Sequence, residues 1–255
     1  MVPVTSPRPA ATVADVLAGL LTEPGRPRLT WYGTAGERVE LSGAVLDNWV
    51  SKTTNLLVEE LDAEPGTRVL LDLPPHWRTL LWALAAWRTG ATVVTDATPG
   101  ALASADVVVT DRPDDLDLPR SAAVVVVTLP ALARRYDGTL PPDALDAAAS
   151  VMTYGDVIGW VPATDPGADA LDVGTDPVPH AGLLAAAAGT VTAVPAGSRA
   201  LLEVSAARTA TPVVLLTALG VLADGGSLVL LHPEPGDTPA RSERVAETER
   251  VTATV

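Results

Sequence analysis

Residues 68–95 read RVLLDLPPHWRTLLWALAAWRTGATVVT. The run Arg68 to Leu73 is apolar and short enough for a buried strand, and Pro74-Pro75 ends it. From about His76 to Thr89, Trp77, Leu80, Leu81, Leu84 and Trp87 recur at helical spacing. Gly90 stops that helix, and Ala91 to Thr95 is a second short apolar strand. Strands that are apolar throughout, with a helix between them, predict a parallel sheet covered on both faces. Two further apolar runs, Asp106 to Thr110 and Ala122 to Thr128, repeat the signal.

Upstream, Thr12 begins a short amphipathic helix with Val13, Val16, Leu17, Leu20 and Leu21 on one face, and Pro24-Gly25 ends it. Arg28 to Tyr32 and Arg38 to Leu41 flank Gly33-Thr34-Ala35-Gly36 and read as a hairpin. Ser42 caps a long helix to about Leu61, with Val45, Trp49, Leu56 and Leu57 in its apolar stripe and Glu59 and Glu60 toward solvent. Downstream, periodicity weakens from Leu129 to Pro179, where only Asp143 to Val151 reads as helix. It returns with a helix near Ala181 to Ala188, a strand at Ala200 to Val204, a helix from Pro212 to Ala223 and a strand at Ser227 to Leu231. A last short helix spans Thr238 to Glu249. No repeat or linker divides the chain. The expectation is one α/β domain over residues 1–255, a layered parallel sheet with helices on both faces and a weakly structured segment near 129–179.

A net charge of −14 over 255 residues argues against nucleic acid or an anionic membrane as partner, because such binding needs clustered cations. With 47% hydrophobic residues the chain can bury a large core. Cysteine is absent, which excludes disulfides, thiolate zinc sites and a cysteine nucleophile. The proline-rich start lacks the basic flank and apolar run of a signal peptide. The most apolar stretch, Pro212 to Leu231, is broken by Asp224-Gly225-Gly226, so a cytoplasmic protein is expected. Lys52 is the sole lysine.

The three histidines are His76, His180 and His232. Asp72 and Asp176 stand four residues before two of them, but the intervening prolines prevent a shared helix face, so no metal site is expected. His76 reads as a helix cap. His232-Pro233-Glu234 lies just past a strand, where α/β sites gather, yet it supplies at most half a metal site and reads as a surface loop. No Gly-x-Ser-x-Gly elbow, dinucleotide fingerprint or lysine-bearing phosphate loop occurs. Asp114-Asp115 and Glu59-Glu60 read as solvated pairs, and the six tryptophans as core. Trp160, in the weakly structured part, is kept as a candidate pocket wall.

Residues 12–110 resemble the start of the adenylate-forming enzymes: acyl-CoA synthetases, luciferases and peptide-synthetase adenylation domains. The resemblance rests on the hairpin around Trp31-Tyr32, Glu40-Leu41-Ser42 entering a long helix, and Glu64-Pro65-Gly66-Thr67-Arg68-Val69. It continues through Leu73-Pro74-Pro75 and Gly90-Ala91-Thr92-Val93-Val94, with Arg88 in place of the family's lysine before the glycine. Residues 199–233, with Asp224-Gly225-Gly226-Ser227-Leu228-Val229-Leu230, resemble a later part of the same domain. The chain also resembles short actinobacterial members of this superfamily.

The resemblance implies a site for ATP or AMP with Mg²⁺ and a carboxylic acid, since adenylation joins a carboxylate to the α-phosphate. The family's phosphate loop corresponds to Leu171–His180, which keeps Gly174, Thr175 and Pro179 and puts His180 where the loop's lysine stands. Gly174, Thr175 and His180 are therefore the candidate nucleotide contacts. The loop is poor in glycine, and Asp172 and Asp176 would repel phosphate. No segment matches the family's later motifs or its C-terminal domain with the catalytic lysine. The expected function is a noncatalytic adenylate-forming-like protein that binds a small, adenylate-like molecule or a protein partner, self-association included. The alternatives are a residual acyl-adenylating enzyme completed by another chain, and an unrelated small hydrolase.

Overall fold

The computed structural model describes residues 10–234, 236 and 238–255. Its helices and strands follow in chain order. Helix α1 (Val13–Leu20) leads to the hairpin β1 (Pro27–Tyr32) and β2 (Arg38–Ser42), then to α2 (Gly43–Glu59), β3 (Arg68–Asp72), α3 (Trp77–Thr89) and β4 (Thr92–Val94). Next come α4 (Pro99–Ala103), β5 (Val107–Thr110), β6 (Ala123–Val126), β7 (Leu145–Asp146), α5 (Ala147–Ser150), β8 (Asp169–Asp172) and β9 (Val178–Pro179). The chain ends with α6 (His180–Thr190), β10 (Arg199–Glu203), α7 (Thr211–Ala223), β11 (Ser227–Leu231), α8 (Pro239–Thr248) and β12 (Ala253–Thr254).

These strands form two sheets where the sequence predicts one. The first runs β12-β10-β11-β1-β2 and the second β7-β6-β5-β3-β4-β8-β9. Every pairing is parallel except β1 with β2 and β8 with β9, each an antiparallel edge hairpin. Strand choice between two sheets is a long-range decision that local periodicity does not encode.

Between the sheets lies α3, which contacts β1 of the first sheet and β3 and β4 of the second. All its residues but Arg88 are buried, as a helix packed on every side requires. The strands are two-faced at period two. Val69, Leu71, Val107, Val109, Leu228 and Leu230 join the central core, while Leu70 and Val108 face outward under α4, and Val229 and Leu231 face outward under α8. The molecule is thus layered: α4, the second sheet, the central helices, the first sheet, α8.

Local rules account for the element ends. Thr12 and Asp15 form a reciprocal capping box on α1, and Ser42 caps α2. Gly90 ends α3 in the left-handed region at φ +82. Three expectations are corrected. Leu46, Val50 and Leu57 set the buried stripe of α2, so Val45, one residue off it, is 41% exposed. The helix expected over 143–151 shrinks to α5, because Asp143 takes φ +61 and residues 145–146 pair with β6. The weakly structured segment carries β8 and β9, whose short, aspartate- and proline-bounded text hides the pairing.

Candidate functional site

The phosphate-loop counterpart is a hairpin. Gly174 and Thr175 sit at the exposed tip between β8 and β9, with Gly174 at φ +83 and its N–H donating to Asp172 Oδ1 at 2.8 Å. His180 lies at the opposite end of the same hairpin, its N–H on the Ala168 carbonyl at 2.9 Å, so roughly 13 Å of strand separates it from the tip. The structure therefore brings Gly174 and Thr175 together and places His180 elsewhere. His180 Nε2 stands 3.0 Å from the Gly90 carbonyl; a carbonyl can only accept, so this nitrogen carries the proton. Burial depresses the His180 pKa. Around the tip the charges are wrong for a triphosphate. Asp172 is paired with Arg68 at 2.9 Å, and Asp96 Oδ2 lies 3.5 Å from where a Gly174 Cβ would stand. Among the described residues the tip carries no free cation to meet a triphosphate, since Arg68 is committed to Asp172.

A groove of about 900 Å³ opens instead at the carboxyl ends of strands from both sheets, where α/β proteins commonly hold ligands. Trp31, near the end of β1, and His232, just past β11, come from the first sheet. Pro74-Pro75-His76-Trp77, after β3, and Leu129–Ala133, after β6, come from the second, and α2 adds Trp49.

Its walls are aromatic. Trp31 meets His76 edge-on at 4.4 Å between ring centroids and His232 at 5.6 Å, while Trp49 meets Trp77 at 6.2 Å. Glu37 ties the β1–β2 turn across to the 129–133 loop, accepting from Trp31 Nε1 at 2.9 Å and from Ala131 N at 2.7 Å. Gly33 leaves room for that tie, since a Cβ there would come within 2.5 Å of Glu37 Oε2.

Backbone contacts set the ring tautomers. Arg78 N–H donates to His76 Nδ1 at 3.2 Å, so the neutral His76 ring carries its proton on Nε2. Burial, then the Arg78 charge, then His232 push the His76 pKa down to about 3, and the ring is neutral at pH 7. His232 Nδ1 lies 2.8 Å from the Pro233 carbonyl and must donate, which leaves Nε2 of its neutral form as an acceptor.

Arg78 lies behind this wall and is 8% exposed. Its guanidinium sits 4.3 Å over Trp77 and 6.0 Å from Trp49, and donates to the carbonyls of Leu129, Pro130 and Ala131 at 3.3 to 3.4 Å. Among the described residues no carboxylate forms an ion pair with it. Burial lowers its pKa to about 10, opposed by Glu37, and it stays charged at neutral pH. Beside it, buried Trp77 Nε1 and Thr128 Oγ1 have no hydrogen-bond partner. Buried charges and donors are ordinarily paired; Arg78 and Thr128 border a small cavity of about 20 Å³ that shares Trp49 with the groove.

A protein of Mycobacterium tuberculosis (strain H37Rv), described as a TIGR03089 family protein, is 36% identical over 241 residues, covering 91% of this chain and 93% of its own length. The chain belongs to the TIGR03089 family. No family model matches it. Among solved structures, an acyl-CoA synthetase of Brucella canis superposes with a TM-score of 0.74 at 19% identity over 98% of the chain. The amide bond synthetase McbA of Marinactinospora thermotolerans gives 0.65 at 17% identity over 95%. The chain spans 48% of each of these two proteins. This TIGR03089 protein thus has the fold of the N-terminal part of adenylate-forming enzymes, as the resemblance implied.

The sequence reading missed the groove because its tryptophans are buried. Trp31 and Trp77, each 2% exposed, satisfy the expectation of core while turning one face to the groove. Trp160 is 68% exposed and does not line it. His76 does cap α3, and His232 lies against Trp31 instead of in a plain surface loop. Among the described residues no cluster of three metal-ligating side chains occurs, and no helix is long and apolar enough to cross a membrane.

Proposed function

We propose that this protein binds a small apolar carboxylic acid in the tryptophan-lined groove and does not adenylate it. The observation that carries this reading is Arg78, a buried guanidinium without a carboxylate, set behind the Trp49 and Trp77 wall of the groove. A ligand carboxylate would supply the missing charge, and such charge-assisted contacts are the strong ones. Reaching Arg78 requires the long bonds to residues 129–131 to yield, and bonds of 3.3 to 3.4 Å are weak enough to do so. His76 Nε2–H and Trp77 Nε1–H add neutral donors, while the apolar walls take the acyl or aryl body. The acidic hairpin tip and the distant His180 favour binding without phosphoryl chemistry. The named activities of the similar folds, acyl-CoA synthesis and amide bond synthesis, concern acyl groups and agree with the ligand class.

Six tryptophans make the test direct. Octanoate, phenylacetate and their amides are titrated while tryptophan emission is followed, and pyrophosphate exchange into ATP is assayed with the same acids. Saturable quenching by the acids, weaker by about tenfold for the amides and lost in Arg78→Met, is the expected result. Absence of saturable binding by any acid would remove the reading, and exchange above background would restore an adenylating enzyme. Arg78→Met removes a buried charge that has no ion-pair partner among the described residues, whose burial is itself unfavourable, and a melting curve of the variant checks that it folds.

A further inference from the structure

On the outer face of the first sheet, beside the end of α8, lies a second depression of about 500 Å³. Four guanidiniums line it, those of Arg26, Arg38, Arg199 and Arg250, against two carboxylates, Glu40 and Glu249. Glu23, just outside the lining, pairs with Arg26 at 3.0 Å, so among the described residues Arg250 alone of the four lacks a carboxylate, in a chain whose net charge is −14. Glu249 is 7% exposed and already saturated: it accepts from Tyr32 Oη at 2.7 Å, from Arg38 Nε at 2.9 Å and from Arg199. Those contacts orient Arg38 and Arg199 over the depression and hold the Glu249 carboxyl below its ordinary pKa despite burial.

Arg250 stands apart. Helix α8 ends in a Schellman turn, with Arg250 N–H on the Glu247 carbonyl at 3.2 Å and Val251 N–H on the Ala246 carbonyl at 2.9 Å. The residue after the cap in that turn is left-handed and is ordinarily glycine. Here it is arginine at φ +53, a conformation that is strained for a residue with a side chain. The guanidinium placed there is exposed and, among the described residues, forms no ion pair or side-chain hydrogen bond. Strain kept by a residue whose side chain makes no polar contact with the described residues points to an external one.

We propose that this depression is a binding site for a phosphoryl group, with Arg250 as the unpaired ligand-binding cation and Arg26, Arg199 and Arg38 preset around it. The phosphoryl oxygens accept from the guanidiniums, and their negative charge meets the unpaired cation of Arg250. No covalent step is involved. The site lies on the outer face of the first sheet and shares Arg38 with the rim of the tryptophan groove, but it does not rest on the acid-binding reading.

The test uses the full chain at constant ionic strength, titrated calorimetrically with inorganic phosphate, pyrophosphate and a sugar phosphate. Saturable binding by the wild-type chain, weakened at least tenfold in both Arg250→Gly and Arg250→Ala, is expected. Preference for inorganic phosphate or pyrophosphate would identify a free anion as the occupant, and preference for the sugar phosphate a phosphorylated metabolite. Arg250→Gly should also melt higher than the wild type, because glycine relieves the left-handed strain, so its loss of binding could not reflect loss of fold. If none of the three binds, or if both variants bind as the wild type does, Arg250 serves only the helix end and the site is overturned.

Discussion

His76 shows how one residue carries both a fold role and a groove role. Its Nδ1 caps α3 by accepting from Arg78 N–H, and its ring packs on Trp31. The same burial, with Arg78 and His232 nearby, drives its pKa down to about 3 from an ordinary 6.5. In the unfolded chain the ring takes up a proton as pH falls through 6.5, whereas the folded ring does not. The stabilisation is therefore complete above pH 6.5 and is lost as pH falls toward 3, at up to about 1.4 kcal/mol per pH unit. His76→Asn keeps a good N-cap and removes the titrating group. Urea unfolding at pH 7.5, 6, 5 and 4 should give a flatter pH dependence for the variant than for the wild type. Parallel curves would mean the ring is protonated in the folded state.

At the scale of elements, the pair α6 and α7 rests on close approach. A Cβ on Gly220 would come within 2.6 Å of the Ala187 carbonyl and 2.9 Å of Val191 Cγ2. Gly220→Ala should therefore cost about 1–3 kcal/mol by overpacking, although alanine is the better helix former. Thermal melting checks this, and a raised melting temperature would show that the helices can separate without loss. Such small-residue contacts are invisible to periodicity, yet the elements themselves are legible. The apolar runs of β3, β5, β6 and β11 and the caps Thr12, Ser42 and Gly90 mark most boundaries to within a residue or two. Asp169–Asp172 is not legible as a strand, because only Ala170 and Leu171 are buried between two aspartates. That missed hairpin is also why Gly174, Thr175 and His180 look like one loop in sequence and lie at two ends of a β-turn unit in space. The groove was hidden for a related reason: its residues come from four separate strand ends, and burial makes pocket walls and core indistinguishable in one dimension.

For the whole molecule, the question is what joins the second sheet to the segment leading back into the first. Asp72 ends β3 and is 3% exposed. Its carboxylate accepts from Thr110 Oγ1 at 2.9 Å and, in a two-point contact, from Arg112 Nε at 2.9 Å and Nη2 at 2.8 Å. Arg208, just before α7, donates to the Asp72 carbonyl and to Asp111 Oδ1 at 2.7 Å, and Thr211 Oγ1 donates to the Leu73 carbonyl at 3.0 Å. Since α7 runs into β11, these bonds fasten the second sheet to the first at the edge where the groove opens. Asp72→Asn preserves the shape but removes the charge that meets Arg112. Deleting one partner of a fully buried pair costs about 3–5 kcal/mol, but the Arg112 side chain is 38% exposed and water recovers part of the loss. A cost of about 2 kcal/mol is expected, which for a chain of this size lowers the melting temperature by about 4–8 °C. The transition should stay single, because α3 packs against both sheets and neither can melt while the other holds it. Two resolved transitions in calorimetry would show instead that the Asp72 contacts, and not the shared helix layer, make the two sheets one cooperative unit.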